Sequence, residues 1–553
     1  MFRKNDKHGQ ADIFTNKTFL SNRLKKRLKN HWSVIFYEKI FKFIKEDDFS
    51  VIYCNDNGRP NYPVNILVAF EIIKEMKGLT DEDMHEHFHF DISYQQAFGI
   101  ENINEWEFSI RTLYYFRSRL AEFEFAGNPN PIMNVFKDGR DKIIEELGIK
   151  TNQQRIDSVY IGANIKRMNR LMLFHKVLSN LLKFIQNNGI EINEEMKKFL
   201  KEDEDSISYR LTSDRVGETN KEIARSLYNI IEYYRDNPDI NESKEYKDAC
   251  RLLSEQCNIS DSDNYPNIKL KEPKDISSGS IQNPADTDAT YKKKNNTEYR
   301  GYKVEAAETC NKDNPVQVVT SVETYKNNVD DTVNFAKMIQ DLHEETDADT
   351  VIVDGGFPCK EARVCAEELD VEIIATGIRG KKTEKEDILN TNDFVFDDQG
   401  LIEKCPNSKR PIKQTLNAEK ELKASFDRRE CTICRLNSRC IAYLSENKSC
   451  LKVDVNRRWL DKRASEILNE EYRKKCLLRP PVEGLMEKIK PKYLSGRTLF
   501  RSLAKVKSRS IYKAIGINFK RYRDFIDIKI NKIFIYAENL GIFPFSRNIL
   551  TNS

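Results

Sequence analysis

Hydrophobic and polar positions change period several times along this chain. Residues 13–46 carry Phe, Leu and Ile at helical spacing with basic residues between them. Residues 63–76 (PVNILVAFEIIKEM) predict a helix, with Pro63 suited to its first turn and Gly78 to its stop. Thr80, with Asp83 three residues on, predicts the N-cap of the next helix. A third helix is expected over about Ser109 to Phe123. Short helices joined by short turns fit a helix-turn-helix-type module or an ordinary small helical domain, and periodicity does not separate the two.

The pattern then becomes mixed. Residues 155–161 (RIDSVYI) are dense in β-formers and predict a strand. Residues 166–260 read as strongly helical, most apolar from Leu171 to Ile185, and 257–290 read as Ser/Asp/Asn/Pro-rich loop. Gly301–Thr309 and Val316–Thr324 predict an antiparallel pair of strands. A helix over Asp330–Leu342, a strand over Asp349–Asp354, a helix over Lys360–Leu369 and a strand over Val371–Thr376 follow. Strands alternating with helices imply a partly parallel sheet with right-handed crossovers. Residues 380–470 are polar, Cys-bearing and weakly periodic until a helix near Asn456–Leu468. From 471 the chain is basic and helical to about 522, and the pattern assigns no element to the last thirty residues.

Composition narrows the class. A chain of 553 residues suggests about three to five structural units. No apolar run reaches the 18 or more residues of a membrane helix, since Glu71 interrupts the best candidate, Asn65–Ile73. The N-terminal sequence has no apolar signal core, so a cytoplasmic protein is expected. A net charge of +4 conceals two basic ends. Residues 1–45 hold 12 Lys/Arg against 3 Asp/Glu, and 484–523 hold 12 against Glu487 alone. One-signed charge with Phe500, Tyr512, Phe519 and Tyr522 interleaved suits phosphate and base contacts, although charge runs are also common on solvated helix faces.

Three acids stand out by position. Asp157 lies within the first α/β strand, Asp354 ends a central strand before Gly355-Gly356, and Glu483 lies on the late basic helix. Carboxylates at neighbouring strand ends face the crevice where α/β sheets bind ligands. Bare anions converging there repel, and a divalent cation with hard oxygen ligands relieves the repulsion. Two such ions serve phosphoryl transfer by activating one oxygen and stabilising another. Position alone leaves ordinary turn and strand-end roles open for these residues.

At these residues the chain resembles bacterial insertion-sequence transposases of the DDE type, most closely the group called "eleven eighty-two", over nearly its full length. The resemblance is carried by several segments. In the N-terminal part they are Tyr62-Pro63, Gly78-Leu79-Thr80-Asp81, Ala97-Phe98-Gly99-Ile100 and Phe116-Arg117-Ser118-Arg119-Leu120. Further on they are residues 157–164 (DSVYIGAN), Asp286 to Tyr291, Tyr299 to Lys303, Val353 to Phe357 and residues 500–521. The third acid sits in a signature of the form Tyr-x2-Arg-x3-Glu-x6-Lys, with Arg479, Glu483 and Lys490 in place. Cys476 fills the Tyr position, with Tyr472 one turn earlier. Spacings of four and seven would share one helical face, but Pro480-Pro481 move the helix start to about Pro480. Arg479 then falls at or before the N-cap, and Glu483 near the positive helix end.

The resemblance implies an α/β ribonuclease H-like catalytic core, a mixed five-stranded sheet flanked by helices. It implies an all-α N-terminal DNA-binding domain over 1–140, the first core strand over 150–165 and a helical insertion over 166–280. The remaining core would occupy 281–380, a Cys-bearing insertion 381–470, the catalytic and basic C-terminal helices 471–523 and a tail 524–553. It further implies Asp157, Asp354 and Glu483 as catalytic residues holding Mg²⁺ or Mn²⁺. Arg479, Lys490, Arg497, Arg501, Lys505 and Lys507 are the candidate DNA contacts. The expected activity is binding the element's terminal inverted repeats, freeing a 3′-hydroxyl and directing it at target DNA, as a homodimer on double-stranded DNA. A catalytically inactive, transposase-derived repressor and a structure-specific nuclease are the alternatives.

Twelve Cys are too few for a disulfide scaffold of this length. Cys405, Cys431, Cys434 and Cys440 are candidate ligands of a structural Zn²⁺, which wants four thiolate or imidazole ligands. Cys450 is an alternative to Cys405, and free thiols or an iron–sulfur cluster are other readings. His85, His87 and His89 are expected to scatter around a helix rather than share a metal.

Overall fold

A computed structural model describes all residues except 6–17, 19, 30, 55–57, 103–105, 193, 202, 211–212, 261–266, 378–387, 418–420, 468, 493 and 540–553. Its centre is a six-stranded mixed sheet. The strands are β1 (Gln153–Gly162), β2 (Thr290–Lys294), β3 (Thr297–Thr309), β4 (Val319–Lys326), β5 (Thr350–Val353) and β6 (Glu372–Ala375). The order β3-β1-β5-β6 runs across the sheet, and β2 and β4 occupy successive stretches of the outer edge of β3. β3 is antiparallel to β1 and to β4, whereas β5 is parallel to β1 and β6 parallel to β5.

Five strands were expected and β2 is the sixth. It joins β3 through a two-residue turn, Asn295-Asn296, with both φ values positive. That backbone matches the right-handed twist of a tight hairpin. Gly301 lies at the crossing of β3 with the end of β1. Its φ is +150°, and a Cβ there would meet the Ile161 carbonyl oxygen at 2.2 Å.

Local chemistry shapes the N-terminal helices as expected. Val64–Lys77 follows Pro63 and ends at Gly78 with φ +75°. Thr80 Oγ1 accepts from the Asp83 N–H, and Asp83 Oδ2 accepts from the Thr80 N–H, which closes a capping box. The helix it starts, Asp81–Phe90, does not scatter its histidines fully. His85 and His89 meet at 3.2 Å one turn apart, with the Phe108 carbonyl 2.6 Å from His85, and His87 stacks on Tyr94. The i,i+4 spacing places 85 and 89 on one face.

These helices and the sheet bury their apolar faces against one another. One cluster joins Phe36, Phe70 and Phe116 to Val159, Val304 and Val322. The long C-terminal helix, Leu503–Asn539, runs through this junction. Its Asn518 side chain accepts from the Val319 N–H and donates to the Val319 carbonyl, which binds it to the edge of β4. The helix continues well past 523, into the stretch for which sequence assigned no element; residues 540–553 lie outside the described ones.

Both insertions have their own cores. Helices between Arg170 and Gln256 enclose Phe174, Leu178, Leu227 and Leu252. The stretch 257–290, expected to be loop, carries a short hairpin of Cys257–Ser260 against Asn267–Leu270 and ends in β2. The Cys-bearing insertion folds into a four-stranded antiparallel sheet (Lys413–Leu416, Leu422–Phe426, Tyr443–Leu444, Ser449–Val453). No helix among the described residues is long and apolar enough to cross a membrane.

Candidate active site

The sheet brings two acids level and a helix brings the third. The parallel register pairs Arg155 with Ile352, so Asp157, two residues further along β1, stands level with Asp354, the residue directly after β5. Alternation in β1 puts Asp157 on the same face as Val159 and Ile161. That face shares its core with Val482, Leu485, Met486 and Ile489. These four are the apolar stripe of the helix Val482–Ile489, so packing of that stripe delivers Glu483 in its first turn. Pro481 is the N-cap, and the N–H groups of Val482 and Glu483 donate to the Arg479 and Pro480 carbonyls.

Arg479 ties the site together. Its Nη2 donates to Asp157 Oδ2 at 2.9 Å, and its Nη1 to Glu483 Oε1 at 3.4 Å. Asp157 is largely buried, and burial pushes its carboxyl above the usual range. The Arg479 guanidinium and the Ser158 N–H oppose this, and Asp354 adds to it. Asp354 is exposed and takes the Gly355 N–H at 2.6 Å.

Arg155 contributes a contact that sequence reasoning missed. It lies on the Asp157 face of β1, pairs with buried Glu308 at 2.7 Å and donates to the Leu478 carbonyl at 2.9 Å. It therefore fixes the segment immediately before Arg479. The available signal was an arginine two residues before Asp157, in phase with it on a strand. Asp286 and Asp288 are a second omission. They accept from the N–H groups of Ser502 and Leu503, and so cap the long C-terminal helix. Tyr302 donates to Asp286 at 2.6 Å.

The signature positions separate. Lys490 is the C-cap of the Glu483 helix and pairs with Glu487 at 2.7 Å, so it does not share a face with Arg479 and Glu483. Tyr472 is buried, donating to the Ala375 carbonyl at 3.1 Å on the end of β6. Half-buried Cys476 packs with Ile352 and Ile374.

The basic stretch is not a continuous exposed stripe. Arg497 and Arg501 are exposed, with Arg497 bridged to Gly162 through its backbone. Lys505 is half-buried near Ser118, and Lys507 pairs with Glu124 and Glu323. Arg509 is fully buried against Glu75 at 3.0 Å. The interleaved aromatics expected at bases are core instead. Tyr512, Phe519 and Tyr522 are buried, and Phe500 lies beneath the cations of Lys74 and Arg117. Burial wins because this helix face is shared by two neighbouring layers, and its cations find acids from both.

The three carboxylates are hard oxygen donors of the kind that suits Mg²⁺ or Mn²⁺. A guanidinium already stands on two of them, so the site attracts positive charge. Among the described residues no three His, Cys, Asp or Glu side chains are placed to share one ion. In the insertion, Cys405, Cys431, Cys434 and Cys440 line one cavity, and Cys450 does not.

Two family models match the chain. A transposase domain (DUF772) matches residues 22–119, and a transposase DDE domain matches residues 404–523. The matches support an insertion-sequence DDE transposase. The second includes Arg479, Glu483 and Lys490; Asp157 and Asp354 fall outside both. The DDE match implies, in general terms, a nuclease or transposase enzyme. No curated protein and no solved structure matches.

Proposed function

We propose that this chain is a DDE transposase of the "eleven eighty-two" group that binds the ends of its own element, cleaves DNA and joins the freed end to target DNA. The carrying observation is the placement of Asp157, Asp354 and Glu483. Asp157 on β1 is level with Asp354 just past the end of the parallel β5, and Glu483 sits on a helix packed over the same face as Asp157. The sheet order supports a ribonuclease H-like core: three antiparallel strands (β4, β3, β1) continued by two parallel to β1 (β5, β6).

Asp157, Asp354 and Glu483 would hold Mg²⁺ or Mn²⁺. Bound there, the ions supply activation of the attacking oxygen and charge stabilisation at the leaving oxygen. Arg479 holds Asp157 and Glu483 before the site is loaded, and Arg155 fixes the entry to the Glu483 helix. Exposed Arg497 and Arg501 are suited to DNA phosphates. The protein works in the cytoplasm on double-stranded DNA, as a homodimer that pairs two ends.

The test is cleavage of duplex carrying the element's end, with Mg²⁺. Asp354→Asn changes one exposed oxygen donor and should slow cleavage by at least about 10³-fold, the scale of several kcal/mol of metal assistance. End-binding should persist. Wild-type cleavage by this variant would refute the assignment. Specific binding without any cleavage by the wild-type chain would favour a repressor.

A further inference from the structure

The Cys-bearing insertion has a small core for its length. Its strands are two to five residues long, and its hydrophobic cluster is built around Phe394, Leu422, Phe426 and Leu451. Folds with so little apolar volume usually add a disulfide or a metal. All cysteines here are free thiols.

Four of those thiols converge from separate segments. Cys405 lies in the turn after Ile402–Lys404, Cys431 in the short helix Arg428–Thr432, and Cys434 and Cys440 in the loop beyond it. They line a cavity of about 30 Å³, whose other walls include Phe394, Phe426 and Leu436. Backbone donors already point at the sulfurs. The Lys409 N–H donates to Cys405 Sγ and the Leu436 N–H to Cys434 Sγ, both at 3.4 Å. Such N–H groups stabilise thiolates and orient metal ligands. Cys450 lies outside the cavity, on the strand Ser449–Val453 opposite Ser425 and Tyr443.

Four thiolates gathered around one cavity repel one another, and a divalent cation relieves that repulsion. Sulfur ligands select zinc over Mg²⁺. The thiols line one cavity, and among the described residues no three are placed to share an ion, so loading the site requires these side chains to close on it.

We propose that Cys405, Cys431, Cys434 and Cys440 bind one structural Zn²⁺ that closes the core of this insertion. The four thiols give up their protons to solvent as the ion enters. The site is independent of the chemistry assigned to the three acids, and its failure would leave that assignment standing.

The full-length chain, reconstituted with Zn²⁺ under anaerobic conditions, should hold about one zinc per chain. Co²⁺ in its place should give the intense thiolate charge-transfer absorption of a tetrahedral sulfur site. Cys405→Ser and Cys434→Ser should lose zinc, while Cys450→Ser keeps it. Should the serine variants not fold, a thiol-reactive mercurial added to wild-type protein decides, by releasing about one zinc to an indicator. A wild-type chain that takes up no zinc, one that carries iron and sulfide instead, or equal zinc loss in Cys450→Ser would overturn the proposal.

Discussion

Arg479 bridges two acids that are 326 residues apart in sequence, standing 2.9 Å from Asp157 and 3.4 Å from Glu483. It is a built-in cation on carboxylates proposed to take divalent ions. Arg479→Gln removes this competitor. Mn²⁺ affinity without DNA, read by electron paramagnetic resonance above the Asp157 titration, should then rise about tenfold. Weaker binding in the variant would mean that Arg479 assembles the site instead of guarding it.

Arg155 tests positioning. Arg155→Lys keeps the charge near Glu308 but loses the planar fork that also reaches the Leu478 carbonyl. Loosening the entry to the Glu483 helix should lower kcat for cleavage by up to about 10²-fold with little change in KM. Glu308 keeps Arg521 at 2.6 Å, so folding should survive. A variant that only loses thermal stability, at unchanged kcat, would reduce Arg155 to a structural role.

Glu305 gives a pH prediction. It is fully buried in β3, and burial pushes its carboxyl from 4.5 to about 7 against the opposing pull of Lys303 2.6 Å away. A raised native pKa contributes stability that is complete below 4.5 and is lost as pH rises through about 7. Glu305→Gln removes that loss, and Lys303 keeps Asp331 at 2.7 Å. Urea midpoints should show the variant gaining on wild type between pH 4.5 and about 7. A constant difference over that range would contradict the shift.

Gly301 tests the close approach of β1 and β3. An added Cβ meets the Ile161 carbonyl oxygen at 2.2 Å, at a φ of +150°. Gly301→Ala should cost about 3 kcal/mol in denaturant unfolding. A cost below about 1 kcal/mol would show that these strands part easily here.

Local chemistry was legible where neighbours in sequence act on one another. Pro63, Gly78 and the Thr80–Asp83 box mark helix ends through contacts within a few residues. β1 and β5 announce themselves by dense β-branched residues, which is why Asp157 and Asp354 stood out. β2 was missed because Tyr291-Lys292-Lys293-Lys294 looks like solvated surface, and only the edge of β3 makes it a strand. The long helix misled for a related reason. Arg509 neutralises Glu75, 434 positions away, so a basic run became interior. The Arg479 clamp was hidden likewise, since its partner on β1 is 322 residues upstream.

Phe36, Phe70 and Phe116 share one core with Val159 and Val304. The N-terminal helices and the strand that bears Asp157 are packed into one hydrophobic interior. On the transposase reading, any duplex gripped by those helices is held at a fixed offset from the acids. The cut would then fall at a set number of base pairs from the recognised sequence, with the hydrophobic interior serving as the ruler.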